Sequence, residues 1–173
     1  MSPRRSVAIA ALVLLLGHAF PASAEDWRGP VLEVFRQVVF DPTTYAPAVT
    51  SFTAERLDWK SSQVFFQHGY VEQNPQFTIS GRPNDVPLSY ADGNRQIVAN
   101  SLADLSASAM NNISSRVIER LLMARYPERQ KLIRAFGWIE RVSFAVTLGT
   151  IQSSRHFRQW RDNDRLAREL GYR

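Results

Sequence analysis

The stretch NRQIVANSLADLSASAMNNISSRVIERLLMARY, residues 94–126, decides the fold, because it runs without proline or glycine until Pro127 stops it. As one helix it would be roughly 48 Å long at 1.5 Å per residue. Ala99, Ala103 and Ala107 fall four residues apart, with Ser106, Ser108 and Ala109 beside them, so another helix is expected to approach closely along that stripe. From Ile113 onward the stripe enlarges to Val117, Leu121 and Leu122, and bulkier packing should follow.

Pro127-Glu128 opens a second long helical pattern reaching about Leu170, with Gly137 and Gly149 as places where it could bend. Residues 135–151 are apolar almost all round, as expected of a helix buried in protein or lying at a membrane. Within residues 25–173 no uncharged apolar run of about 18 residues exists, which argues against an ordinary spanning helix there. Upstream, Val31, Val34, Phe35 and Val38 recur at helical spacing until Asp41-Pro42. A further helix is expected from Thr44 or Tyr45, with Pro47 in its first turn, to a stop at Gly69. Residues 70–93 carry the turn signals Asn74-Pro75, Ser80-Gly81, Arg82-Pro83-Asn84-Asp85, Val86-Pro87 and Asp92-Gly93, and predict one long irregular loop. Gln76 to Ser80 would suit a short strand, but no partner strand is evident. The expected fold class is therefore all-α, a small helical bundle built on a long helical hairpin that turns at Tyr126-Pro127.

Arg4-Arg5, the apolar run Val7 to Leu16 and Ala22-Ser23-Ala24 have the order of a cleavable signal peptide covering residues 1–24. Removing 24 of 173 residues leaves 149, the size of a single helical domain spanning 25–173. Cysteine is absent, so an exported chain would hold together without disulfides. Charge is unevenly spread: residues 25–115 hold 6 basic and 10 acidic side chains, whereas residues 116–173 hold 13 and 6. The basic C-terminal third is expected to be mainly a solvated helix face. Export argues against nucleic acid as a partner.

The densest group of polar residues is Asp58-Trp59-Lys60-Ser61-Ser62 followed by Gly69-Tyr70-Val71-Glu72-Gln73-Asn74-Pro75. A carboxylate and two hydroxyls on a helix, a glycine cap and then Glu-x-Asn-Pro place several hydrogen-bonding groups around one helix end. This pattern resembles a family of small, mostly helical bacterial membrane or exported proteins of unknown function that carry an Asp, a nearby Ser or Thr and a Gly-x-x-Glu-x-Asn-Pro element. The matching residues are Asp58, Ser61 or Ser62, Gly69, Glu72, Asn74 and Pro75.

His68 and Glu72, joined by Asp58 or His156, would be competent metal ligands, but their spacing is not specific and a hydrogen-bonded capping cluster is preferred. Glu140-Arg141 places two charges inside an apolar helix, and adjacent helical residues do not face each other, so each needs its own partner. Arg141, Gln152, His156 and Asn163 lie near one helical face and are expected to form a polar seam between helices. No glycine loop, nucleophile elbow or His-Glu-x-x-His motif is present, so no catalytic residue, metal ligand or cofactor is assigned.

The expected function is a non-enzymatic structural or interaction role in the periplasm or cell envelope, with a protein partner or self-association. Its candidate polar residues are Asp58, Ser61, Ser62, His68, Glu72, Asn74, Glu140, Arg141 and His156. One alternative is a metal- or small-ligand-binding protein, hydrolytic in one form, that uses Asp58, His68 and Glu72. Another is a peripheral membrane protein meeting anionic lipid through the basic C-terminal segment, a contact expected to be weak because Asp162, Asp164 and Glu169 offset part of its charge. Mass spectrometry of protein from the native host is expected to find the N-terminus at Glu25. An intact start at Met1 or Ser2 in the envelope fraction would identify an uncleaved anchor instead.

Overall fold

The computed structural model describes residues 28–172, and the expected signal segment at 1–24 lies outside them. The fold is all-α: α1 (Arg28–Val39), α2 (Pro42–Gln67), α3 (Tyr90–Arg125) and α4 (Gln130–Glu169), with no strand among the described residues. Single 3-10 turns at Pro75–Phe77 and Pro127–Arg129 interrupt the connections.

Local chemistry moves two helix starts upstream of their expected positions. Asp41 ends α1 and also caps α2, because its carboxylate accepts from the Thr43 amide at 3.1 Å and the Thr43 hydroxyl at 2.7 Å. Pro42 then fills the first helical position, where its missing N–H costs nothing. Ser89 and Asp92 form a reciprocal cap at the start of α3: the Asp92 amide donates to Ser89 Oγ at 3.1 Å, and that hydroxyl donates to Asp92 Oδ2 at 2.6 Å. Gly93 therefore lies inside the helix, where a side-chain carbon would collide with the Trp59 indole. At the other end of α2, Gly69 takes φ of +84°, and the amides of Gly69 and Tyr70 return to the carbonyls of Phe66 and Phe65.

The long loop is shorter and more structured than expected. Asn74 caps the turn Pro75–Phe77, and isolated antiparallel bridges join Glu72 to Asp85 and Thr78 to Pro87. Residues 76–80 are thus a turn with one bridge rather than a strand. Neither Gly137 nor Gly149 breaks α4, which runs unbroken for 40 residues. Both permit close approach instead: Gly137 leaves room for the Glu119 carboxylate, and Gly149 lies 3.6 Å from Pro47 Cα when its missing Cβ is placed.

The described residues divide into two compact units, one holding those up to Thr44 with Ala107–Ala145, the other Tyr45–Ser106 with the residues from Val146 onward. Among the described residues, the first unit has a small apolar interior of Val34, Val38, Val117 and Ala145 beside a polar one. Asn112, 1% exposed, donates to Thr43 Oγ1 at 2.9 Å and Thr44 Oγ1 at 2.7 Å. Arg116 donates to Gln37 at 3.0 Å and to Asp41 at 2.7 Å. Arg141, 4% exposed, bonds Ser115, pairs with Glu119 and lies 3.2 Å from Asp41. Two arginines and two carboxylates balance one another, which is what allows the charges to leave water. Outside, the same unit displays Leu32, Phe35, Phe40, Phe136 and Trp138, with Phe40 77% exposed.

Burial pushes the Asp41 carboxyl upward, but the Thr43 hydrogen bonds and Arg116 outweigh it and hold the group below its ordinary value. Its contribution to stability is therefore present above about pH 4 and lost as pH falls through the lowered value.

The second unit has a conventional apolar core. Trp59, Phe77 and Ile97 are buried, with Phe52, Phe66 and Leu88 against them. The Trp59 and Phe77 rings lie 5.2 Å apart and those of Trp59 and Phe66 5.6 Å, both tilted, as aromatic quadrupoles favour. Trp59 Nε1 donates to the Tyr90 carbonyl at 3.3 Å, so the indole also holds the first turn of α3.

Removing one member of a buried ion network strands the others. Arg141→Met is expected to destabilise the protein by about 3 to 5 kcal/mol in urea unfolding, and the double change Arg141→Met with Glu119→Leu by less than that. A single variant within about 1 kcal/mol of the parent would show that the network carries no such weight.

Candidate functional site

Two helical stripes of polar residues meet inside the second unit. On α2, Glu55, Asp58 and Ser62 follow at i, i+3 and i+7, which puts them on one face. On α4, His156, Gln159 and Asn163 repeat the same spacing. The segment Tyr70 to Asn74, together with Phe77, closes the site, leaving an open cavity of about 340 Å³ between these elements. That volume is at the small end of ligand pockets, which span roughly 300–1,000 Å³.

His156 Nδ1 donates to Asp58 Oδ2 at 2.7 Å, the central contact of the site. The Asn163 amide lies 3.0 Å from Ser61 Oγ, 2.9 Å from Ser62 Oγ and 3.4 Å from Asp58 Oδ1. Both serine hydroxyls donate to the Asp58 carbonyl, so neither is hydrogen-bonded to a histidine. Glu55 accepts from the Asn100 amide at 2.9 Å, and Glu72 Oε1 accepts from the Asn74 backbone amide at 2.6 Å. Asn74 Oδ1 in turn caps the Gln76 amide, so Glu72 and Asn74 also shape the loop that walls the cavity.

The electrostatics follow from this packing. Burial opposes charge on His156, but the hydrogen bond to Asp58 and the charges of Asp58 and Glu55 overcome it and raise the imidazole above its ordinary value. Burial is the leading cause for Glu55 and Glu72 as well. It raises both carboxyls, although Asn100 and the backbone amides of residues 73 and 74 pull them partly back. All three groups favour folding most when protonated, so this part of the stability is complete below their unfolded values and is lost as pH rises through the folded ones.

The candidate residues read from the sequence separate into groups. Asp58, Ser62, Glu72, Asn74 and His156 line the cavity, and Ser61 stands behind them on Asn163. His68 is elsewhere: its Nδ1 donates to the Val64 carbonyl at 2.7 Å and its ring stacks on Tyr172 with centroids 3.7 Å apart. The proposed ligand set of Asp58, His68 and Glu72 is therefore not assembled, and among the described residues no group of three or more His, Asp or Glu is arranged to hold a metal ion. Glu140 and Arg141 belong to the first unit, where Glu140 is exposed and accepts from Asn111 at 3.0 Å while Arg141 joins the buried network. The polar seam on α4 is present: Gln152 donates to Asp104 at 3.3 Å, and His156 and Asn163 reach Asp58 and the serines.

Glu55, Trp59, Arg155, Gln159 and Phe77 also line the cavity and were not singled out in the sequence. The matched i, i+3, i+7 polar spacing on α2 and α4 was the available signal. Comparison with family models, with curated proteins and with solved structures finds no match to this chain.

The Asp58–His156 bond predicts where the imidazole titrates. NMR titration is expected to place His156 above about 6.5 in the parent protein and to move it downward in Asp58→Asn. An unchanged midpoint in that variant would remove Asp58 as the cause.

Proposed function

We propose that this chain is a non-enzymatic binding protein of the cell envelope that holds a small organic ligand in the cavity of the second unit. The observation that carries this reading is the convergence of Glu55, Asp58, Glu72 and His156 with the aromatic side chains Trp59 and Phe66 on one open cavity. Ionisable groups beside an apolar wall, with Glu55, Glu72 and His156 titrating above their ordinary values, are what a ligand site requires, since the wall supplies burial and the polar groups supply orientation. Both serine hydroxyls are committed to the Asp58 backbone carbonyl and His156 to the Asp58 carboxylate, an arrangement suited to holding a shape rather than to activating a nucleophile. Four residues of the Asp, Ser/Thr and Gly-x-x-Glu-x-Asn-Pro pattern, Asp58, Ser62, Glu72 and Asn74, line this same cavity, which supports treating the pattern as a site motif. The envelope location rests on the signal-like order of residues 1–24.

A fragment library of mixed charge, screened by NMR against the purified protein, is expected to shift the Trp59 indole and the His156 and Asn163 side chains together. A ligand present at 100 times its Kd should add about 2.7 kcal/mol to the unfolding free energy. A library that leaves all three side chains unmoved would sink the binding reading.

A further inference from the structure

The charges on the cavity wall do not cancel. Asp58 is matched by His156, at 2.7 Å. Glu55 and Glu72 have no such match: each accepts hydrogen bonds from amides, and neither forms an ion pair with a described residue. The other charged groups bearing on them are Asp58 and His156 for both, and Asp104 for Glu55. Arg155 lines the cavity as an exposed side chain and is in ion-pair contact with no described carboxylate. Glu55 is 6% exposed, so its charge has little water to stabilise it.

Around these carboxylates stand Trp59, Phe65, Phe66, Tyr70 and Phe77. Aromatic faces carry negative potential and attract cations, more strongly once water is displaced. Carboxylates and aromatic faces therefore favour the same sign of ligand. A neutral apolar ligand would leave both carboxylates desolvated and unmatched, and an anionic one would add repulsion.

We infer that the cavity takes a small organic cation, an amine or quaternary ammonium group seated between Glu55 and Glu72 against the aromatic wall. This inference rests on the ligand-binding reading above and specifies its chemical class. Seating the cation gives these two carboxylates the ion-pair partner that no described residue supplies, since His156 acts on both but is paired with Asp58.

The test uses the purified protein and four probes of nearly equal shape, read by calorimetry and by the NMR shifts of Trp59. Choline carries a fixed positive charge, 3,3-dimethylbutan-1-ol is its neutral counterpart, 3,3-dimethylbutanoate is anionic and glycine betaine is zwitterionic. Choline is expected to bind at least about tenfold more tightly than the other three. Glu55→Gln and Glu72→Gln should each weaken choline binding severalfold while raising the melting temperature of the free protein, because an amide of the same shape carries no charge to desolvate. That rise separates lost binding from lost folding. Tighter binding of the neutral, anionic or zwitterionic probe, or choline binding unchanged in both variants, overturns the cationic class and leaves the cavity reading standing. Absence of binding by all four overturns both.

Discussion

Polar side chains shut away from water need partners, and this requirement constrains the register of α4. α4 carries Arg141, Gln152, His156 and Asn163 on one face, and each meets a polar partner on α2, on α3 or on the segment joining α1 to α2. Sliding α4 by a single residue would turn that face by about 100° and leave several groups unpaired at once. A buried charge without a partner costs several kcal/mol, comparable with much of a domain's whole stability, so alternative registers are strongly disfavoured. Apolar side chains alone would discriminate less, because hydrophobic burial has no direction.

Close helix approach is the second half of the same constraint. Gly137 admits the Glu119 carboxylate, Gly93 admits the Trp59 indole and Gly149 lies beside Pro47. In two of the three, the missing side chain makes room for a polar or aromatic group that is itself fixed by hydrogen bonds. Glycine inside a helix costs roughly 1 kcal/mol relative to alanine, and these positions recover that cost through the contacts it permits.

The two units resolve the polar requirement differently. In the first, the charges are balanced internally by Asp41, Arg116, Glu119 and Arg141, while Phe40, Phe136 and Trp138 face outward. In the second, an aromatic core adjoins polar stripes, and side chains of both kinds line a cavity. Opposite pH responses follow from this contrast. Asp41 gives up its stabilisation toward acid, whereas Glu55, Glu72 and His156 give up theirs as pH rises.

Periodicity and punctuation in the sequence determined the all-α class, the long helices ending at Arg125 and Glu169, the loop after Gly69 and the polar face of α4, because each depends on neighbours within a few residues. Capping already departed from that reading: Asp41 and Ser89 start helices two to four residues early through side-chain hydrogen bonds that hydrophobic spacing does not report. The site was legible only in part. Asp58, Ser62, Glu72 and Asn74 are close in sequence, but His156 joins Asp58 across 98 positions, and His68, so near to Glu72 along the chain, stacks on Tyr172 instead. Glu55 and Trp59 look like ordinary helix residues until α4 and the loop are laid beside them. Only the tertiary structure decided which carboxylates are matched by a cation and which face an aromatic-lined cavity without an ion-pair partner, since desolvation and pairing are properties of neighbours that the order of residues does not specify.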